Sequence, residues 1–279
     1  MFGHYFLSFL PSFLPSFLPS FSPFLFPIQV RSFNSSRFGK YVEVMVAEGD
    51  VVGSTITTFL LEKTRVVAQA ADERTYHAFY QLLKGRGGAA AAEAALKETK
   101  GAGAGDVFNL EEWANAQNVT FPYLTHGLRA IPNVDDAADF THLQSALRLF
   151  VDGKSEAAIV RLLTAVLFLG RLSLAEDKEG NARVVEGDEL NVTAELLGVD
   201  ADALCFALTS RQVQGGGRVS IAVKRLDAAA ARVAQATLAK ASYAGLFLKL
   251  VATMNRVMKP KGHGGRDLLK IGTLDICEF

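Results

Sequence analysis

The sequence predicts an α/β fold, and three observations carry the prediction. From Lys40 the chain alternates as Tyr41-Val42-Glu43-Val44-Met45-Val46, turns at Glu48-Gly49-Asp50 and resumes over Val51–Leu61, the pattern of two antiparallel strands joined by a short turn. Between Asp72 and Met258 the apolar residues recur largely at helical spacing. Leu268–Leu274 is an apolar run ending at Asp275, which reads as a buried strand delivering an acid at its C-terminal end and suggests nucleotide chemistry. At 279 residues and 49% hydrophobic, the chain is long enough for one large domain or two small ones with a real core.

The first 30 residues stand apart. They contain no Lys, Arg, Asp or Glu, yet hold eight of the 20 Phe and five of the eight Pro. A secretory signal would need a basic stretch before its apolar run, and a membrane-spanning helix needs about 20 apolar residues without regular breakers. Pro11, Pro15, Pro19, Pro23 and Pro27 deny that helix its donors turn after turn. Phe-Leu-Pro-Ser repeats three times over residues 9–20, as a TTCC tetranucleotide read in triplets encodes, and such pyrimidine tracts lie upstream of splice acceptors. Residues 1–33 are therefore expected to be a low-complexity tract, non-native or disordered, with the folded domain spanning 34–279.

After the hairpin, Asp72 offers an N-cap, Tyr76, Phe79, Tyr80 and Leu83 recur at helical spacing, and Gly85 offers a stop. Residues 86–105 are rich in Gly and Ala and read as a surface insertion. Further helices are expected over Asp139–Val151, Ser155–Leu169, Val192–Leu197, Ala201–Leu208 and Asp227–Met258, with Arg218–Leu226 a strand or exposed loop. The last helix lacks a heptad seam, because Ala228–Ala231 give no flanking charges, and it reads as a core helix rather than a coiled coil.

Composition excludes several functions. Lys plus Arg equals Asp plus Glu at 29 each, so no global field recruits nucleic acid or an anionic membrane, and neither is expected as a partner. Cys205 and Cys277 are too few for a disulfide framework and fit a reducing compartment. The five histidines show no zinc-ligand spacing. Asn118-Val119-Thr120 and Asn191-Val192-Thr193 match glycosylation sequons that a cytosolic chain never uses.

Taken alone, Asn34-Ser35-Ser36-Arg37 reads as a turn followed by a helix cap. With Phe38-Gly39-Lys40 behind it, the stretch closely resembles switch I of myosins. Leu60-Leu61-Glu62-Lys63-Thr64-Arg65-Val66-Val67 and Glu73-Arg74-Thr75-Tyr76-His77-Ala78-Phe79-Tyr80 are similar to the strand and helix that follow it in that family. Leu196-Leu197-Gly198-Val199-Asp200, Leu238-Ala239-Lys240-Ala241 and Ile271-Gly272-Thr273-Leu274-Asp275-Ile276 continue the resemblance, the last to switch II. On these residues, 34–279 resembles part of a myosin motor domain of unconventional type: transducer strands, an upper helical subdomain and both switch loops of a P-loop NTPase-type fold.

The resemblance implies an actin-based motor that hydrolyses ATP with Mg2+ in the cytoplasm and the actin cytoskeleton. Ser36 would ligate the magnesium, Ser35 would contact the γ-phosphate and the attacking water, and Asn34 and Asp275 would line the nucleotide site. Arg37 would close the cage against a glutamate expected just after Phe279, which leaves it without a designed counter-ion here. Arg218, Lys224 and Arg225 would contact actin. The pattern departs from the family in three places: Ser32 and Phe33 stand where asparagines are usual, Glu278 stands where a glycine is usual, and no GxxxxGK[S/T] loop occurs. Gly101–Gly105 lacks the following Lys-Ser/Thr and reads as a linker. The chain alone is therefore expected to be inactive, the alternative being a non-catalytic fragment that binds actin or another partner. Light-chain-binding motifs are not expected on this fragment.

Overall fold

A computed structural model describes residues 37–85, 121–128, 130–214, 221–260 and 268–276. Strand β1 (Gly39–Ala47) turns back into β2 (Asp50–Phe59) through Glu48 and Gly49, both at positive φ (54° and 93°), as a two-residue hairpin connection matching the strand twist requires. A 3-10 turn (Lys63–Val66) leads to helix α1 (His77–Lys84), and the 3-10 turn Pro122–Leu124 precedes α2 (Asp136–Leu147). Then come α3 (Gly153–Leu169), the hairpin β3 (Leu174–Glu176) and β4 (Ala182–Val184), α4 (Asp188–Leu197) and α5 (Ala201–Thr209). The ribbon β5 (Ser210–Gln214) and β6 (Ile221–Arg225) precedes the 31-residue α6 (Ala228–Met258), and β7 (Leu269–Asp275) returns to the sheet in the order β2-β1-β7.

Four of the six described helices, α2, α3, α5 and α6, begin where a short acid holds the first free N–H groups. Asp135 accepts from Ala137 N and Ala138 N, Asp152 from Ser155 N, Asp200 from Ala203 N and Asp227 from Ala230 N. The sequence expectation placed the start of α2 at Asp139, and the Asp135 cap moves it one turn earlier. The expected cap at Asp72 is not used, because Glu73 and Arg74 are drawn into an ion-pair network and α1 starts only at His77. Gly85 does end α1, though with an extended backbone rather than the left-handed one a stop signal suggests. Glycine is there for space: a Cβ would run into the Phe140 ring. The left-handed stop occurs at Gly198 (φ 70°), whose N–H reaches back to Ala194 and Glu195 after α4.

One apolar cluster joins α1 through α6, centred on the fully buried Phe79, Phe168, Leu167, Leu169, Leu196 and Leu208. Each such side chain contributes about 1.5–3 kcal/mol by burial. Gln235 crosses from α6 to donate to the carbonyls of Leu169 (2.5 Å) and Leu172 (2.9 Å), satisfying the C-terminal end of α3. The three-stranded sheet lies to one side of this core. Here β7 departs from expectation: Leu269, Ile271 and Leu274 are exposed at 65%, 39% and 58%. The strand forms as foreseen, but among the described residues it is an edge strand, paired on β1 alone, so its apolar side chains lack a covering layer. The expected insertion at 86–105 lies outside the described residues.

Candidate functional site

Strands β1 and β7 run antiparallel with Lys40 opposite Asp275. That register places the start of β1 beside the end of β7, so Arg37 and Ile276 lie at the same end of the sheet, next to the segments before and after them in the sequence. Asn34, Ser35 and Ser36, singled out from the sequence, lie in the first of those segments and outside the described residues, as does Arg218. Asp275 is held by the Lys40 ammonium at 3.1 Å, so the acid at the strand end is ion-paired within the sheet. Phe38 packs edge-on against Phe247 of α6 with ring centroids 4.8 Å apart and anchors the base of the leading segment to the long helix.

Arg37 was expected to lack its designed counter-ion, and in the structure two other acids hold it. Its side chain is nearly buried and donates to two carboxylates, Nη1 to Glu62 Oε2 at 3.2 Å and Nη2 to Glu73 Oε1 at 3.1 Å. These acids are themselves fixed by Arg65, which is 3% exposed. Arg65 Nε donates to Glu62 Oε2 (2.7 Å), Nη2 to Glu62 Oε1 (3.2 Å) and Glu73 Oε2 (2.6 Å), and Nη1 to the carbonyl of Arg74 (2.9 Å). Arg74 continues the chain of charges in a bidentate pair with Asp136 at the start of α2 (3.2 and 2.6 Å) and lies 3.8 Å over the Tyr80 ring. Two arginines thus share two glutamates, and a third ties the cluster to the helical core. The Arg37 carbonyl accepts from Glu62 N at 2.9 Å, which fixes the backbone as well.

The electrostatics follow from that geometry. Burial pushes the Glu73 carboxyl up, but the hydrogen bond from Arg65 and the charges of Arg37 and Arg65 outweigh it and hold the carboxyl below its usual range. Burial alone works against the charge on Arg65, and Glu62 and Glu73 more than offset it. A carboxylate depressed in the folded state stabilises the fold fully above its unfolded pKa and loses that contribution as pH falls through the lower, folded value. Stability of this chain is thus expected to fall on acidification below the ordinary carboxylate range. Glu73→Gln should flatten that acid limb relative to wild type, as urea midpoints from pH 7 to pH 3 would read; identical limbs would remove Glu73 from the account.

The ribbon carries the other candidates. Arg211 pairs with Lys224 and Ser210 with Arg225 across it, and Arg211, Lys224 and Arg225 are exposed. Like charges directly opposite weaken a ribbon by roughly 0.2–1 kcal/mol, a cost that an acidic partner would offset. Among the described residues no group of three or more His, Cys, Asp or Glu could hold a metal ion, and no helix is long and apolar enough to cross a membrane.

Sequence reasoning found Arg37 but missed the roles of Glu62, Arg65, Glu73 and Asp136. One cue was available: Glu62 and Arg65 stand three apart in a short charged break between apolar runs, and Glu73-Arg74 interrupts the approach to a helix. Charges set in such surroundings either pair or pay for their burial.

A family model described as myosin head (motor domain) matches residues 28–279. The chain is 36% identical over 258 residues to Myosin-1 of Emericella nidulans, covering 90% of this chain and 19% of that protein. It is 37% identical over 252 residues to unconventional myosin IC of Drosophila melanogaster (89% and 22%), and 35% identical over 255 residues to Myosin-1 of Mycosarcoma maydis (90% and 18%). The chain therefore spans 18 to 22% of the length of these relatives.

Proposed function

The chain belongs to the myosin head (motor domain) family, and from that premise we propose that it is the part of an actin-based motor presenting two loops that close on the phosphates of Mg-ATP. The observation that most supports this reading is the register of Lys40 opposite Asp275, because two loops leaving one end of a sheet side by side can enclose one ligand. In this reading Ser36 ligates magnesium, Ser35 contacts the γ-phosphate and the attacking water, and Asn34 and Asp275 line the site. Phosphoryl transfer depends mainly on positioning and charge stabilisation, which hydroxyls and cations supply.

The described residues place two cations, Arg37 and Lys40, at this end of the sheet, but each is already ion-paired and would meet the anionic half of that ligand only by exchanging its carboxylate partners. They do not by themselves form a cation site: Asp275 is engaged by Lys40, and Glu62 and Glu73 by Arg37 and Arg65. When bound, magnesium would offset charge on the phosphate oxygens. For Arg37 to close the cage it must exchange the Glu62–Glu73 pair for another partner, so the network would set how readily the cage closes. With no GxxxxGK[S/T] in the 279 residues, hydrolysis is placed with the parent motor and not with this chain alone. The setting is the cytoplasm and the actin cytoskeleton.

A second reading, a non-catalytic actin- or partner-binding protein, is favoured by the exposed cations of the ribbon, with Arg218, Lys224 and Arg225 as the contact residues. One experiment addresses both. The full chain is mixed with actin filaments and Mg-ATP, and co-sedimentation and phosphate release are followed together. Salt-sensitive sedimentation, weakened severalfold in Lys224→Glu/Arg225→Glu, with no phosphate release above actin alone, is the expected result. Steady release would overturn the placing of hydrolysis elsewhere, and no sedimentation at low salt would overturn the ribbon as an actin contact.

A further inference from the structure

Among the described residues, strand β2 is the outer edge of the three-stranded sheet, paired with β1 on one side only. At Ile56 the outward-facing backbone groups are taken up by a side chain from α6. The Ile56 N–H donates to Asn255 Oδ1 at 2.7 Å, and Asn255 Nδ2 donates to the Ile56 carbonyl at 2.7 Å. A primary amide carries a donor and an acceptor side by side, as a peptide group does. Bonding both polar groups of one residue is what an opposing residue of an antiparallel strand does.

Ile56 pairs with Val42 of β1, and Val42 with Thr273 of β7. Asn255 is thus the fourth member of a row that crosses the whole sheet. One helical turn further on, Ser54 Oγ donates to Met258 Sδ at 3.2 Å. A Cβ on Gly53 would stand 2.6 Å from the Met258 carbonyl and 2.7 Å from Pro260 Cδ, so a glycine lets the end of α6 close onto the strand.

We infer that Asn255 is a positioning residue that serves as a one-residue surrogate strand: it closes the outer edge of β2 and fixes the end of α6 to the sheet. The fixation matters because the chain leaving α6 must return on the far side of β1 as β7 and arrive with Asp275 opposite Lys40. A fixed departure point sets that register. The other end of α6 follows directly on β6, so the same pair of hydrogen bonds makes ribbon, helix and sheet move as one body. The inference stands independently of nucleotide or actin binding.

Amide hydrogen exchange read by NMR on the full chain tests it, with Asn255→Leu removing donor and acceptor at nearly constant volume and Asn255→Asp keeping an acceptor. In Asn255→Leu the Ile56 amide should exchange about tenfold faster than in wild type, the factor for one net hydrogen bond. The core amides Val166 and Phe168 of α3 should change much less. In Asn255→Asp the Ile56 amide should stay closer to wild type, since a carboxylate oxygen still accepts from it. The wild-type Asn255 Nδ2 protons should also be separately resolved and slowly exchanging. Equal Ile56 exchange in wild type and Asn255→Leu would overturn the inference. So would a uniform acceleration of Ile56, Val166 and Phe168, which would mark Asn255 as a packing residue only.

Discussion

Arg65→Met is expected to lower the free energy of unfolding by about 3 kcal/mol, the low end of the cost of removing one partner from a buried ion pair. The low end applies because Glu62 and Glu73 keep 38% and 28% of their side-chain surface in water and can regain some hydration. A surface pair would be worth only about 0–1 kcal/mol, but Arg65 itself is buried and makes four hydrogen bonds, one of them to the Arg74 carbonyl. Methionine keeps much of the apolar stem, so the loss is chiefly that of the guanidinium. Arg65→Lys retains the charge but not the fork that spans two carboxylates and a carbonyl, and should recover less than half of the loss. Urea unfolding at pH 7 reads both values. If Arg65→Met falls within about 0.5 kcal/mol of wild type, as ordinary surface substitutions do, the network does not hold this part of the fold.

Much of the secondary structure was legible because it depends on local chemistry. The β1–β2 hairpin could be read from alternation and from Gly49, which readily takes the positive φ of the tight turn, and α3 and α6 from long apolar periodicity behind Asp152 and Asp227. What was not legible depends on partners remote in sequence. The short strands β3, β4 and β5 carry too few residues for a period to show, and β5 was hidden because Ser210 follows a helix without a break. The apolar run of β7 correctly gave a strand but wrongly gave burial, since burial belongs to whatever layer covers a strand and not to the strand. The site divides in the same way. Arg37 and Asp275 were found through a linear pattern, whereas Glu62, Glu73 and Asp136 reach their arginines from up to 62 residues away. No local pattern announces that Arg37 has two acids to bind.

Phe79→Ala should cost about 3–5 kcal/mol, the usual loss for deleting a wholly buried phenyl ring, and its consequence should reach the charged cluster. Phe79 is fully buried and lies 5.5 Å from the Tyr243 ring, on which Tyr76 stacks at 4.4 Å. The Tyr76 hydroxyl donates to the Glu62 carbonyl at 3.0 Å, and Glu62 in turn receives Arg37 and Arg65. A cavity at Phe79 lets Tyr243 relax into it, which loosens the Tyr76 stack and with it the backbone that carries one of the two acids. Leu143→Ala provides the comparison, since Leu143 is also buried in the same cluster but is joined to no residue of the network by a hydrogen bond. Both variants should unfold at lower urea concentration. Only Phe79→Ala should broaden or shift the Arg37 and Arg65 guanidinium resonances at urea concentrations where the protein is still folded. If the two variants perturb those resonances equally, core and network respond only to global stability. If Phe79→Ala alone does so, the aromatic stack is the mechanical support of the arginine cluster, and substitutions in the helical core will alter the sheet end without touching it.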